Sequence, residues 1–294
     1  MDNNQFWQQV TDELAQLPLQ LTLTPLAVEV TNGEAFSMQY QSLGGEIIHG
    51  LYLQPKSSQP TPVVIDFLGY LTQIENPQQF SHWLAIGCGC LVIDNRGQGG
   101  ATLDQVPYQT VTMPMPLGRG LLTPEDSYLR RMVADQLRLF EVLENLPLLD
   151  ASRVYLHGNS QGGGLALMVN SLSPVAIQGT FANVPSQSNL PHRIAAATGS
   201  YGVMKEYLNT HPTDQKQVLQ TMAMFDIRHY AHLIENPVWA SVATNDITCP
   251  MVDFFPTYKR LAGPKQLTVF WGKGHEGGGL KRLTQEIQLL KEIM

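Results

Sequence analysis

The chain has 294 residues, 43% hydrophobic and 15% charged, enough for one large domain with a substantial core. Its formal net charge is −7, and no stretch concentrates Lys and Arg. That excludes the electrostatic footprint of a nucleic-acid or anionic-membrane surface, which needs clustered basic side chains.

A first helix is expected over residues 5–17, with Phe6, Val10 and Leu14 on one face. The residues around it show no basic segment leading into an apolar one, so no secretory signal is expected and the location is read as cytoplasmic. Three strands are expected next, at 26–32 (LAVEVTN), 36–43 (FSMQYQSL) and 46–55 (EIIHGLYLQP). Their partial alternation suits an antiparallel opening to a sheet. The apolar run VVIDFLGY follows, of the kind found in buried strands, and then CLVIDN. Cys88 and Cys90, just before and within that second strand, read as small core residues. With Cys249 they form neither a disulfide framework nor a zinc-spaced set, so no metal and no cofactor is expected.

Thr123-Pro124-Glu125-Asp126 reads as a helix start, with a capping hydroxyl, proline at the first position and acids in the first turn. The helix carries Leu129, Met132, Val133, Leu137 and Phe140 and ends near Pro147. Strand SRVYLHG, helix GLALMVNSL, strands AIQGTFAN, PVWASVATN and QLTVFWG, and an amphipathic helix from about Leu280 complete the series. Strands alternating with helices give an α/β fold, a mostly parallel central sheet with helices on both faces, as one domain over residues 1–294. Residues 186–235 break the alternation as a helical insertion, of the size that covers a ligand site, makes an oligomer contact or simply packs.

Gly158-Asn159-Ser160-Gln161-Gly162 matches G-x-S-x-G and lies between a predicted strand and helix. Such a reversal strains the serine backbone and crowds the positions two before and two after it, hence Gly158 and Gly162. It also leaves the Gln161 backbone N–H free to hold an oxyanion. A phosphate cradle is disfavoured, because no lysine follows the glycines. The serine needs a base oriented by a carboxylate. His275 stands in a glycine-rich loop, FWGKGHEGGG, after the last strand, and Asp246 ends an earlier one. The order Ser160, Asp246, His275 is that of the α/β-hydrolase fold. Asp226 is the weaker candidate for the acid, and His157 reads as a packed strand residue.

The segments DNRGQGG, HGNSQGGG and HEGGG together resemble the acetyl xylan esterase and cephalosporin C deacetylase family of carbohydrate esterases. FWQQVTDEL, GRGLLTPEDSYLRR and AGPKQLTVFWGKGHEGGG extend the likeness over nearly the whole chain. The resemblance implies an esterase with Ser160 as nucleophile, His275 as base and Asp246 as its orienter. The oxyanion hole would be the backbone N–H groups of Tyr70 and Gln161, with Arg96 and Gln98 holding nearby loops. It further implies a ring-shaped hexamer and small acetylated substrates, such as acetylated xylo-oligosaccharides or cephalosporin C. A general short-chain carboxylesterase, lactonase or peptidase is the alternative on the same fold. The family carries a glycine-rich run after its tyrosine; this chain reads Leu71-Thr72-Gln73-Ile74, expected to narrow or reshape the acyl pocket.

Overall fold

In the computed structural model, which describes residues 2–294, the chain opens with a reciprocal cap. The Asp2 carboxylate accepts from the Gln5 N–H while the Gln5 side chain returns to Asp2 N–H, and α1 (Asn3–Ala15) follows. Its buried face is Phe6, Trp7, Val10 and Leu14. The Trp7 indole donates to the Tyr230 hydroxyl at 2.9 Å, fastening the helix to a distant part of the chain.

Strands β1 (Thr22–Pro25), β2 (Gly33–Gln41) and β3 (Ile47–Pro55) are antiparallel. The strand expected at 26–32 is a loop, and β1 lies before it. Pairing stops at Pro25 opposite Phe36, and Asn32, with φ 63°, turns the chain into β2. Leu26 and Val30 still pack on the core, so their alternation reflects a loop draped over apolar side chains.

The sheet continues with β4 (Thr61–Phe67), β5 (Gly89–Ile93), β6 (Leu149–Asn159), β7 (Ile177–Asn183), β8 (Val238–Ala243) and β9 (Lys265–Phe270). The spatial order is β1-β2-β3-β5-β4-β6-β7-β8-β9, with β5 antiparallel to β3 and every later pairing parallel. All residues of β4 and β5 are buried. Val63, Ile65 and Phe67 enter one core and Val64 the other, because successive side chains of a strand face opposite ways.

The helices are α2 (Ser81–Leu84), α3 (Tyr128–Leu137), α4 (Leu139–Glu144), α5 (Gln161–Leu172), α6 (Leu190–Ala195), α7 (Gly202–Thr210), α8 (Gln215–Ala223), α9 (Met251–Arg260) and α10 (Gly279–Ile293). One core gathers α1, α3, α4, α5 and the insertion, which is α6, α7, α8 and short 3-10 turns to Leu233. Phe80, Trp83 and Leu84 around α2 join Leu290 of α10 in the other. No helix among the described residues is long and apolar enough to cross a membrane.

Helix α3 begins later than the sequence suggests. Ser127 caps it, and the Asp126 carboxylate instead accepts the Gln109 and Thr110 N–H groups. Asp126 is thereby committed to a loop, and Thr123–Asp126 stay a turn.

Arg96, fully buried after β5, grips Asp135 of α3 with two hydrogen bonds of 2.7 and 2.6 Å. Burial raises the Asp135 pKa, and the guanidinium opposes that rise. Removing one partner strands the other charge without water. Asp135→Ala is expected to cost about 3–5 kcal/mol of folding stability, read as a lower urea midpoint at unchanged slope.

Candidate active site

Ser160 sits between β6 and α5 with φ 59° and ψ −120°, a left-handed backbone that costs a non-glycine residue about 1–3 kcal/mol. Three hydrogen bonds hold it there: Ser160 N–H to Asn183 O at 2.9 Å, Ser186 N–H to Ser160 O at 2.9 Å, and Gly164 N–H to the same oxygen at 3.1 Å. The glycines are steric requirements. A Cβ on Gly158 would lie 2.3 Å from the Gly162 carbonyl carbon. One on Gly162 would lie 1.9 Å from Phe67 O, so that crowding comes from the end of β4 rather than from Gly158.

The loops after β8 and β9 bring the other two predicted residues to the serine. His275 Nε2 is 2.8 Å from Ser160 Oγ, and Nδ1 is 2.8 Å from Asp246 Oδ2. A carboxylate only accepts, so Nδ1 carries the proton and Nε2 keeps its lone pair for the serine hydroxyl. Asp246 is buried, and its Oδ1 accepts the Thr248 and Cys249 N–H groups at 2.8 Å each. The two loops are tied together by Asn245 N–H to Lys273 O at 2.9 Å. Asp226 stays apart, pairing with Arg228 and accepting the Asn189 and Leu190 N–H groups.

Tyr70 stands three residues past the end of β4, and Gln161 opens α5. Neither backbone N–H has a protein acceptor among the described residues. The loops that carry them are joined by Gln98. Its side-chain amide pairs head to tail with that of Gln161, both bonds 3.0 Å. Its oxygen also accepts the Leu71 N–H at 2.9 Å, and its nitrogen donates to the Tyr128 hydroxyl at 2.8 Å. That hydroxyl donates onward to Arg96 O. Every donor and acceptor of the Gln98 side-chain amide is used.

Leu71 does not narrow the site. It takes φ 57°, is 49% exposed and does not line the cavity, whereas Tyr70, Thr72 and Gln73 do. Any reshaping of the pocket by this departure therefore falls to Thr72 and Gln73, which line the cavity, and not to Leu71.

A cavity of about 810 Å³ opens over Ser160. Its lining includes Ser186, Arg193, Ser200, Thr248 and Cys249, together with polar groups of β4, β6, β7 and α10. Sequence reasoning missed two of these. Cys249 Sγ lies 3.9 Å from Ser160 Oγ, and Arg193, 1% exposed, donates to Thr248 O and contacts Cys249. Burial raises the Cys249 pKa and Arg193 opposes the rise, so the thiol is a neutral wall. Its place three residues after Asp246 was the one available signal.

A strained serine between a parallel strand and a helix, with histidine and aspartate supplied by later loops, defines an α/β-hydrolase. The family model for acetyl xylan esterase (AXE1) matches residues 1–292, and the chain belongs to that family and is a carboxylic ester hydrolase. It is 22% identical to acetyl esterase Axe7A of Xylanibacter ruminicola, over 99% of this chain and 67% of that one. The acetyl xylan esterase of Paenibacillus sp. R4 superposes with a TM-score of 0.92 at 27% identity, covering 98% of this chain and 94% of that one. Acetyl xylan esterase 1 of Thermoanaerobacterium sp. JW/SL YS485 gives 0.90 at 25%, covering 99% and 93%.

Because Gln98 joins the loops that carry the Tyr70 and Gln161 N–H groups and does not line the cavity, Gln98→Ala is expected to lower kcat about tenfold and leave KM within twofold. That is less than the ~100-fold loss typical of deleting a direct donor. Steady-state kinetics on 4-nitrophenyl acetate test it.

Proposed function

We propose that the protein is a serine esterase that removes acetyl groups from small polyhydroxylated substrates through an acyl-enzyme. The unbroken run of 2.8 Å contacts from Asp246 through His275 to Ser160 carries this reading. The Ser160 hydroxyl gives its proton to His275 Nε2 as Oγ bonds to the ester carbonyl carbon, while Asp246 stabilises the imidazolium. The carbonyl oxygen becomes an oxyanion facing the Tyr70 and Gln161 N–H groups at the positive end of α5. Collapse breaks the ester C–O bond, and the leaving alcohol takes the proton from His275. A water, deprotonated by the same nitrogen, then attacks acetyl-Ser160; acetate leaves, and the hydroxyl is restored.

Acetyl selectivity draws support from Cys249, whose buried sulfur stands 3.9 Å from the nucleophile and walls the site there. The cavity far exceeds what an acetyl group fills. Its polar lining of Thr72, Gln73, Gln79, Asn159 and Ser200 suits hydroxyl groups on the leaving alcohol. Acetylated xylo-oligosaccharides fit that description, and cephalosporin C is a second acetyl ester of suitable size.

Ser160→Ala is expected to abolish hydrolysis of 4-nitrophenyl esters with its circular dichroism unchanged. With the intact enzyme, kcat/KM should fall at least tenfold from acetate to butyrate. Activity near wild type in the variant defeats the serine mechanism, and a preference for butyrate favours the general carboxylesterase alternative.

We infer that the chain assembles as a hexamer, as its family resemblance implies. Ile247, Trp271 and Leu280, exposed by 84%, 79% and 82%, lie on the acid loop, after β9 and at the start of α10. Apolar side chains of this size gain by being covered by further copies. Light scattering should return six times the 32.6 kDa chain mass, and a monomeric mass overturns the inference.

A further inference from the structure

The strand that carries Ser160 has an ionic cluster buried beneath it, and the hydrolytic steps do not use it. His157, three residues before the serine and 4% exposed, has Nδ1 3.0 Å from Asp66 Oδ1 of β4. Its Nε2 lies 3.4 Å from Glu286 Oε2 of α10. A neutral imidazole has one N–H and one lone pair, so it can satisfy only one of two flanking carboxylates. Neither ring nitrogen has a well-directed hydrogen bond, so the contact is one of charge, and carboxylates on both sides favour an imidazolium.

The cluster joins the sheet to the two helices on this face, α2 and α10. Asp66 Oδ2 accepts the Trp83 indole N–H of α2 at 2.9 Å. Glu286 Oε1 accepts the Asn183 amide at 2.9 Å and lies 2.9 Å from Arg282 Nε. Arg282 also donates to Asn183 Oδ1 and to Trp239 O on β8. The charged and titratable groups facing His157 are Asp66 from β4, Glu286 and behind it Arg282 from α10, and His82 from α2. Burial lowers the His82 pKa, so it adds no charge at neutral pH. Two carboxylates then balance one guanidinium and one imidazolium. If His157 loses its proton, a net negative charge is left on nearly inaccessible side chains at the inner wall of the cavity, which is unfavourable.

Helix α10 begins at Gly279, four residues after His275, so whatever fixes α10 fixes the end of the histidine loop. We propose that the His157 imidazolium is a positioning residue that binds α10 to β6 and thereby holds His275 at Ser160. This rests on the reading of Ser160 and His275 as the reacting pair. Burial lowers the His157 pKa, and the two carboxylates outweigh it, raising the value to about 10 from an ordinary 6.5. A raised pKa on a basic group sets the sign. Its contribution to stability is complete below about pH 6.5, declines above it and is gone once pH passes about 10.

Proton–carbon NMR of the intact protein should show one of its eight histidines still an imidazolium at pH 9; all neutral by pH 8 overturns the proposal. His157→Gln should lower kcat on 4-nitrophenyl acetate at least tenfold at pH 7, with KM within threefold. Asp66→Asn with His157→Gln, which restores a neutral cluster, should recover at least half of the lost rate. Wild-type kcat in the single variant, or a double variant no better than the single, overturns the role. If the single variant does not fold and the double does, charge balance is upheld. If neither folds, the wild-type titration decides. A chain with no esterase activity at all defeats the assignment of Ser160 and leaves the titration to judge the cluster.

Discussion

The geometry at the carboxyl edge of the sheet depends on one close approach, that of the Gly162 backbone to the carbonyl of Phe67. It allows α5 to start directly beneath the end of β4, so Ser160 and the loop bearing Tyr70 are set by the same contact. The positive end of α5 then faces the site, and the serine is left in a conformation sustained by its own N–H bonding to the Asn183 carbonyl and its carbonyl accepting the Ser186 N–H. The strain is local, whereas the groups that support it come from the neighbouring strand and the loop after it.

Around that turn the loops are braced by buried polar groups from distant elements. On one face Gln98 binds Leu71, Gln161 and Tyr128, and Arg96 beside it is paired with Asp135. On the other, His157 stands between Asp66 and Glu286. Hydrophobic packing alone fixes spacing between layers but tolerates small slides; directional bonds to a charged partner do not. The site thus sits in an apolar fold while its exact registry is held by polar contacts.

Much of this was legible in the chain because it is local. Strand, tight turn and helix around Ser160 are adjacent in sequence, and Asp246 and His275 each follow a readable strand. The misreadings arose where tertiary contacts override local pattern. The alternation at 26–32 reflects a loop packed on the core, and Asp126 serves the Gln109–Thr110 turn instead of opening a helix. The bulk expected from Leu71 stays half-exposed and off the cavity lining, at a positive φ that no composition rule reveals. The partners of His157 lie on β4 and α10, far along the chain, so its strand position allowed a buried side chain to be read but not a charged one.

Leu71 and Ser160 share a property with a wider meaning. Both are side-chain-bearing residues with positive φ, at 57° and 59°, on facing loops of one cavity. An unfolded chain seldom visits either state, and both together still less often. Neither loop can therefore take its working shape from local preference alone. The cradle proposed for the carbonyl oxygen comes into being only when the sheet beneath it is complete, and a partly folded chain has no weakened version of it.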